Sequence, residues 1–376
     1  MHLTSLNLAN FRCHERLELA LPAGLSVFQG PNGSGKTTLL EAVMLLATGR
    51  SPRTNWLREL LRWGSDAARV EGVFVGSGAY PDQLAVTLQR AGGTEVQKDV
   101  RLNAQPAPPV GELLQRLPVV LFEPEDLQLV KTSARSRRRF MNVALSGLRS
   151  LYLDDLLRYR RAVQQRNELL KRAFRGHAGG EELAPWTAQM VRAGAQLMAD
   201  REWLVEHLGP RAAALYAELS GGAEVLELRY RPNVSSEEAG LPERMQAFYE
   251  ALENASAWEL RRGATQVGPH RDELVVLLDG KPARDFGSQG QQRTAALSLK
   301  LAQAQLLAAG RGEPPIVLLD DCLSELDERR QSQVLELVGQ FDQLLLTTAG
   351  EIPAVAPGAN VVRFDRPSPQ GGGALS

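Results

Sequence analysis

Leucine and valine recur at two spacings, every second residue toward the two ends of the chain and every third or fourth through its middle. The first spacing belongs to strands and the second to helices. In the first 29 residues Leu3, Leu6 and Leu8 make an apolar set and Leu17-Glu18-Leu19 alternates. Leu25 to Gln29 follows the turn Pro22-Ala23-Gly24, and together these predict strands. Thr38-Leu39-Leu40-Glu41-Ala42-Val43 then opens a helix, which the polar turn Gly49-Arg50-Ser51-Pro52-Arg53-Thr54 ends. Val70 to Val75 and Gln83 to Gln89 alternate like strands of a small antiparallel lobe, separated by Gly76-Ser77-Gly78. The proline-rich link Pro106-Ala107-Pro108-Pro109 leads to the apolar run Leu117 to Phe122.

There the period changes. From Glu125 to Arg262 the chain reads as helical, with Leu151 to Phe174, Thr187 to Leu208 and Arg211 to Leu219 carrying leucine and alanine at helical spacing. Gly179-Gly180 and Gly221-Gly222 are breaks, and Val225 to Tyr230 is a single strand within the helical stretch. Strand-and-loop patterns resume afterwards, ending in the buried strand Ile316-Val317-Leu318-Leu319-Asp320-Asp321. The expectation is an α/β fold: one domain over 1–124 and 263–365 with a parallel core sheet and a small antiparallel lobe, a helical domain inserted into it over 125–262, and a disordered tail over 366–376.

Composition adds bounds. Hydrophobic residues make 43% and charged residues 23%, as in a globular protein with a sizeable core, and no apolar run approaches the length of a membrane span. Met1-His2-Leu3-Thr4 has no secretory pattern, so a cytoplasmic protein without a membrane partner is expected. Cys13 and Cys322 are too few for a disulfide framework. The net charge is −1, but between Lys131 and Gly176 thirteen basic residues face three acidic ones. So one-sided a segment is the footprint of a surface that meets polyphosphate, with Arg135, Arg137, Arg138 and Arg139 at its head and Arg50 and Arg53 as a second basic site.

The chemistry centres on Gly30-Pro31-Asn32-Gly33-Ser34-Gly35-Lys36-Thr37, a G-x-x-x-x-G-K-T phosphate loop between strand and helix. Gly30, Gly33 and Gly35 let the backbone fold round an oxyanion, and the N–H groups of Asn32, Ser34 and Thr38 point at it from the helix N-terminus. Lys36 would reach the β and γ phosphates of ATP, and Thr37 would place its hydroxyl on Mg²⁺. Asp320 would hold that ion through water or through Thr37, and Asp321 would orient an attacking water. Further on, Phe286-Gly287-Ser288-Gln289-Gly290-Gln291-Gln292-Arg293-Thr294 opens another helix at a second anion site, with Ser288, Gln289 and Gly290 at its tip.

Loop, signature, carboxylate strand and Ser324-Glu325-Leu326-Asp327 stand in the order of the ABC-type ATPases, in which the signature of one subunit caps the γ-phosphate held by another. The chain resembles the RecF family of bacterial recombination mediators, in the SMC-like branch of that class. The resemblance is carried by Asn10-Phe11-Arg12, the phosphate loop with Leu39-Leu40-Glu41-Ala42, Gly49-Arg50-Ser51 with Arg53-Thr54, and Pro124-Glu125-Asp126-Leu127 with Arg137-Arg138-Arg139-Phe140. Gly268-Pro269-His270-Arg271-Asp272 and Ser288-Gln289-Gly290-Gln291-Gln292-Arg293 are its most selective parts. It implies Arg12 at the nucleotide and an ATP-dependent homodimer on double-stranded DNA and single/double-strand junctions. It also implies work with RecR and RecO to place RecA in DNA replication, damage repair and the SOS response.

Departures are visible. Asp321 replaces the glutamate of transporter-type members, which predicts slow hydrolysis. Thr347-Thr348 stands where many relatives carry a switch histidine, Glu125 or Gln128 fills the glutamine-loop place, and Cys13-His14 replaces an Asn-Tyr pair without expected consequence. His270 suits a turn better than a phosphate, whereas Arg271 suits bidentate pairing. An SMC-like chromosome-organising ATPase is the alternative function, weakened by the want of long heptad arms. A transporter subunit is disfavoured by the basic helical segment.

Overall fold

A computed structural model of the chain describes residues 1–76, 80–92, 95–175, 182–236, 240–324, 326–350 and 358–365. The expected tail, the Gly179-Gly180 break, Ser77-Gly78 and Glu325 of the last motif lie outside the described residues. Two compact units form, one of Met1–Glu125 with Gln303–Ser376 and the other of Asp126–Ala302.

The first unit is built on two sheets. Its antiparallel sheet has β1 (His2–Phe11), β2 (His14–Ala20), β4 (Ala67–Val75), β5 (Asp82–Gly92), β6 (Glu95–Leu102) and β7 (Gln105–Pro106), in the order β2-β1-β4-β5-β6-β7. Its parallel sheet has β3 (Gly24–Gln29), β8 (Val119–Phe122), β12 (Ile316–Asp320), β13 (Gln343–Thr348) and β14 (Asn360–Arg363), in the order β14-β3-β13-β12-β8. Every residue of β13 and the first four of β12 are buried, the pattern of parallel strands covered on both faces. Helix α1 (Lys36–Thr48) shares one apolar core with both sheets: Leu39, Leu40, Val43 and Leu46 join Leu3, Leu6 and Leu8 of β1 and Leu318 and Leu345 of the parallel sheet. Past Thr38 only Glu41 and Thr48 of this helix are polar, because it has no solvent face to serve. Short α2 (Val110–Arg116) precedes β8, and α10 (Glu328–Val338) starts at Asp327, whose carboxylate accepts from the Arg330 N–H.

The second unit is mostly helical: α3 (Gln128–Lys131), α4 (Ala134–Leu148), α5 (Tyr152–Phe174), α6 (Ala184–Ser220) and α7 (Leu241–Arg262). The two helices expected at Thr187–Leu208 and Arg211–Leu219 are one, because α6 runs on through Pro210. Proline there removes a single intrahelical donor, and the buried Leu204, Leu208, Ala212 and Leu215 on the flanking turns hold the helix together. Gly194 of α6 marks where three helices meet: a Cβ would come 2.6 Å from Phe248 of α7 and 3.1 Å from Tyr159 of α5.

The strand expected near Val225 is β9 (Leu226–Arg231), and it pairs antiparallel with β10 (Glu273–Leu278), which pairs with β11 (Lys281–Pro282). That ladder fastens the stretch after Arg262 to the helices. The second unit therefore continues past the expected boundary at 262, through α8 (Ala283–Phe286), and α9 (Gln289–Arg311) begins in it.

Candidate nucleotide site and basic face

Sheet order explains why distant motifs meet in the first unit. β3, β13 and β12 are parallel neighbours, with Thr347 in register with Phe28 on one side and Asp320 on the other. Their carboxyl ends therefore bring the phosphate loop, Thr347-Thr348 and Asp320-Asp321 to one edge, where open α/β sheets bind ligands. Thr37 Oγ1 donates to Asp320 Oδ1 at 2.8 Å, so the two residues expected at Mg²⁺ touch. A hydroxyl and a carboxylate are the hard oxygen donors that Mg²⁺ takes alongside phosphate oxygens, so the pair fits the ion. Burial raises the Asp320 carboxyl above its ordinary range, while hydrogen bonds from Thr347 and Thr37 pull it back.

Gly33 and Gly35 both have positive φ, at 82° and 97°. At Gly35 a Cβ would also lie 2.6 Å from His14 Nε2 and 2.7 Å from Cys13 Sγ. Cys13 and His14, expected to be without consequence, are thus the wall against which the loop is folded, and His14 Nε2 bonds the Gly35 carbonyl at 3.2 Å. Lys36 Nζ donates to the carbonyls of Gly30 and Pro31 at 2.6 and 2.8 Å. Burial lowers its ammonium below the usual lysine value, against the pull of Asp321 and Asp320. Ser34 is buried and its Oγ meets no partner among the described residues. Asn32, Gly33, Lys36, Thr37 and Thr38 line a cavity of about 850 Å³ that Arg12, Arg53 and Asp321 also border.

Asp321 follows β12 in the left-handed region at φ 46°, which aspartate tolerates better than most residues. Its N–H donates to Thr347 Oγ1 at 3.0 Å, and its Oδ1 is buried with no hydrogen-bond partner among the described residues. An acceptor held like that suits a water molecule. Arg12 borders the cavity but is fastened to buried Glu41 by two bonds of 2.9 and 2.6 Å, and donates to the Glu59 carbonyl at 2.8 Å. Glu41 also accepts from Ser51 Oγ at 2.5 Å, and Ser51 in turn accepts from the N–H groups of Arg53 and Thr54. The sequence reading gave Glu41 no role; it is the anchor that holds the Gly49–Thr54 turn to the phosphate-loop helix.

In the second unit Ser288 and Gln289 are exposed at the start of α9 and Gly290 is half-buried. Ser288 Oγ accepts from the Gln291 N–H at 3.3 Å, and Gln291 Oε1 accepts from the Ser288 N–H at 2.6 Å. This is a capping box, and S-x-x-Q ahead of an apolar helix was the signal for it.

The basic segment divides. Arg137 was expected on DNA, and the structure corrects this: it is buried, gives Glu273 two bonds of 2.7 and 2.9 Å, and donates to the carbonyls of Leu129 and Thr132. Four of its five N–H donors are so committed, and a buried guanidinium is poorly placed to reach a phosphate. Arg138 is half-buried and donates to the Asp272 carbonyl at 2.7 Å. Arg166 is buried in an ion pair of 2.6 Å with Glu259. Among the exposed basic residues are Arg135 and Arg139 on α4, Arg158, Arg160, Arg161, Lys171 and Arg172 on α5, and Arg50 and Arg53 in the first unit.

His270 is structural. Its Nδ1 meets Tyr159 Oη at 2.5 Å and its Nε2 meets the Thr265 carbonyl at 3.3 Å, and burial pushes the imidazole down to about 4. Asp272 of the same motif is a buried hub that accepts from Arg201 Nη1 at 2.7 Å, from Tyr230 Oη and from the Asn233 N–H. Arg271 is exposed and donates to Gln266.

Known proteins carry the same pattern. The family description RecF/RecN/SMC N terminal domain matches residues 2–352. The DNA replication and repair protein RecF of Roseiflexus castenholzii is 39% identical over 368 residues, covering 93% of each chain. A solved structure of the recombination mediator protein RecF with ATPrS superposes with a TM-score of 0.88 at 29% identity, covering 96% of this chain and 98% of that chain. An Smc head bound to the C-winged helix domain of ScpA shares the fold alone, with a TM-score of 0.56 and 16% identity. Among the described residues no helix is long and apolar enough to cross a membrane. The phosphate loop, the carboxylate edge, the signature helix and these likenesses agree: the chain belongs to the RecF family of ATP-binding, ABC-type ATPases.

Proposed function

We propose that the chain is an ATP-gated clamp on DNA. ATP would sit on the phosphate loop with Lys36 at its β and γ phosphates, and Thr37 and Asp320 would hold Mg²⁺, which would neutralise phosphate charge. The γ-phosphate is then capped by Ser288, Gln289 and Gly290 of a second copy. ADP lacks the group that the second copy would meet, so only ATP favours the dimer. Asp321, whose shorter side chain orients water less closely than glutamate, keeps hydrolysis slow, and release follows hydrolysis.

The observation that carries this reading is Ser288: exposed at a helix N-terminus, with its oxygen already accepting from the helix, it keeps its hydroxyl proton to give to an anion. Exposed arginines of α4 and α5, with Arg50 and Arg53, supply phosphate contacts to duplex DNA without reading bases. Membership of the family supports, as further parts of the proposal, preference for single/double-strand junctions, action in the cytoplasm with RecR and RecO, and RecA loading. The test is mass in solution with ATP, ADP or neither, with and without duplex DNA. Wild type is expected to dimerise with ATP alone among the nucleotides, and Ser288→Arg to bind ATP as a monomer. A wild type that stays monomeric with ATP, or a Ser288→Arg dimer at ordinary ATP, would overturn the clamp.

A further inference from the structure

We propose that Glu224, in the turn between α6 and β9, positions the signature serine through Gln291. The proposal rests on the reading of Ser288 as the group that meets a second copy's γ-phosphate. The capping box fixes the Ser288 oxygen on α9, but both of its members are side chains on an open turn, and a lone box of that kind is soft.

Glu224 stiffens it from outside. Its Oε1 accepts from Gln291 Nε2 at 2.7 Å, and its Oε2 accepts from Tyr216 Oη at 3.1 Å. Tyr216 is fully buried on α6, so the chain Tyr216, Glu224, Gln291, Ser288 runs from the core of the unit to the signature. A charged acceptor on one end of the Gln291 amide strengthens the bond that its other end takes from Ser288.

Gln292 works from the other side. Buried itself, it points Nε2 at the carbonyls of Ala283, Arg284 and Gly287, at 3.0, 3.2 and 3.1 Å, and so ties down the backbone that enters the turn. The serine hydroxyl is thereby aimed before any phosphate arrives. Glu224, Tyr216 and Gln292 are positioning residues, since each acts through another side chain or the backbone.

The experiment follows the monomer–dimer equilibrium of the full chain by sedimentation in saturating ATP and Mg²⁺. Glu224→Ala is expected to raise the dimer dissociation constant about tenfold, the usual worth of a bond to a charged partner, with ATP affinity of the monomer unchanged. Glu224→Gln, whose side-chain carbonyl still accepts from Gln291, is expected to recover most of the loss. Gln291→Ala should weaken the dimer at least as much, and adding Glu224→Ala to it should change little further.

Should Glu224→Ala lower the melting temperature, Tyr216→Phe keeps the ring in the core, removes the hydroxyl that donates to Glu224, and is expected to weaken the dimer severalfold. Unimpaired dimers of Glu224→Ala or of Tyr216→Phe, a Glu224→Gln as poor as Glu224→Ala, or losses that add in the double variant would overturn the positioning role. A wild type monomeric in ATP, or dimers of Ser288→Arg, would instead overturn the reading beneath it.

Discussion

Thr347 donates its hydroxyl proton to Asp320 Oδ1 at 2.7 Å while accepting from the Asp321 N–H at 3.0 Å, so one side chain of β13 holds both the last residue of β12 and the one after it. Thr347 belongs to the Thr347-Thr348 pair expected at the switch place, and its side chain has no charge to change: it serves as a strut. Thr347→Val keeps the shape and removes both bonds. ATP hydrolysis is expected to fall about tenfold, roughly the 1.5 kcal/mol of a bond to a charged group, with a smaller change in ATP affinity. Steady-state turnover beside equilibrium nucleotide binding separates the two.

Gly35 cannot be replaced by alanine at small cost. Its φ of 97° already disfavours a side chain, and the added carbon would push against Cys13 and His14. Gly35→Ala is expected to abolish measurable ATP binding in a titration with a fluorescent ATP analogue. Binding within threefold of wild type would show that the loop can shift its wall.

Arg137 and its neighbours should separate stability from DNA affinity. Arg137→Ala leaves Glu273 without its partner and is expected to destabilise the protein by about 3 kcal/mol, read as a lower denaturation midpoint. Arg135→Glu with Arg139→Glu should leave that midpoint near wild type, weaken duplex binding and flatten its dependence on salt. An unchanged salt slope would move the DNA face to Arg50 and Arg53.

His270 makes stability depend on pH in one direction. Burial holds its folded-state value at about 4, below the ordinary 6.5, so the unfolded chain takes up a proton first as the solution is acidified. The contribution of neutral His270 is complete above about pH 6.5, falls as pH drops toward about 4, and amounts to on the order of 3 kcal/mol. Urea midpoints measured from pH 7 to pH 4 should show this loss, and His270→Gln should flatten that part of the profile.

What the sequence made legible was local chemistry. Gly30 to Thr37 and Asp320-Asp321 each stand out in a few adjacent residues, and sheet order brings the two together at one edge. Burial of charge was not legible, because it depends on partners far along the chain. Arg137 looks like Arg135 and Arg139 until Glu273 arrives from β10, and Arg166 looks like Arg161 until Glu259 arrives from α7. Pro210 misled for the opposite reason: a local rule that ends helices yielded to the burial of the turns around it. The extent of the second unit was hidden too, since nothing near Glu273 announces that it pairs with Arg231.

The parallel sheet has a consequence for synthesis. β8 has β12 as its neighbour, and β3 lies between β13 and β14, so both early strands await partners that leave the ribosome only after the whole helical unit has been made. At ordinary elongation rates the delay is on the order of tens of seconds. Through that interval the apolar residues of β3 and β8 have no sheet to join, and such unpaired strands are the part of a nascent chain most exposed to aggregation.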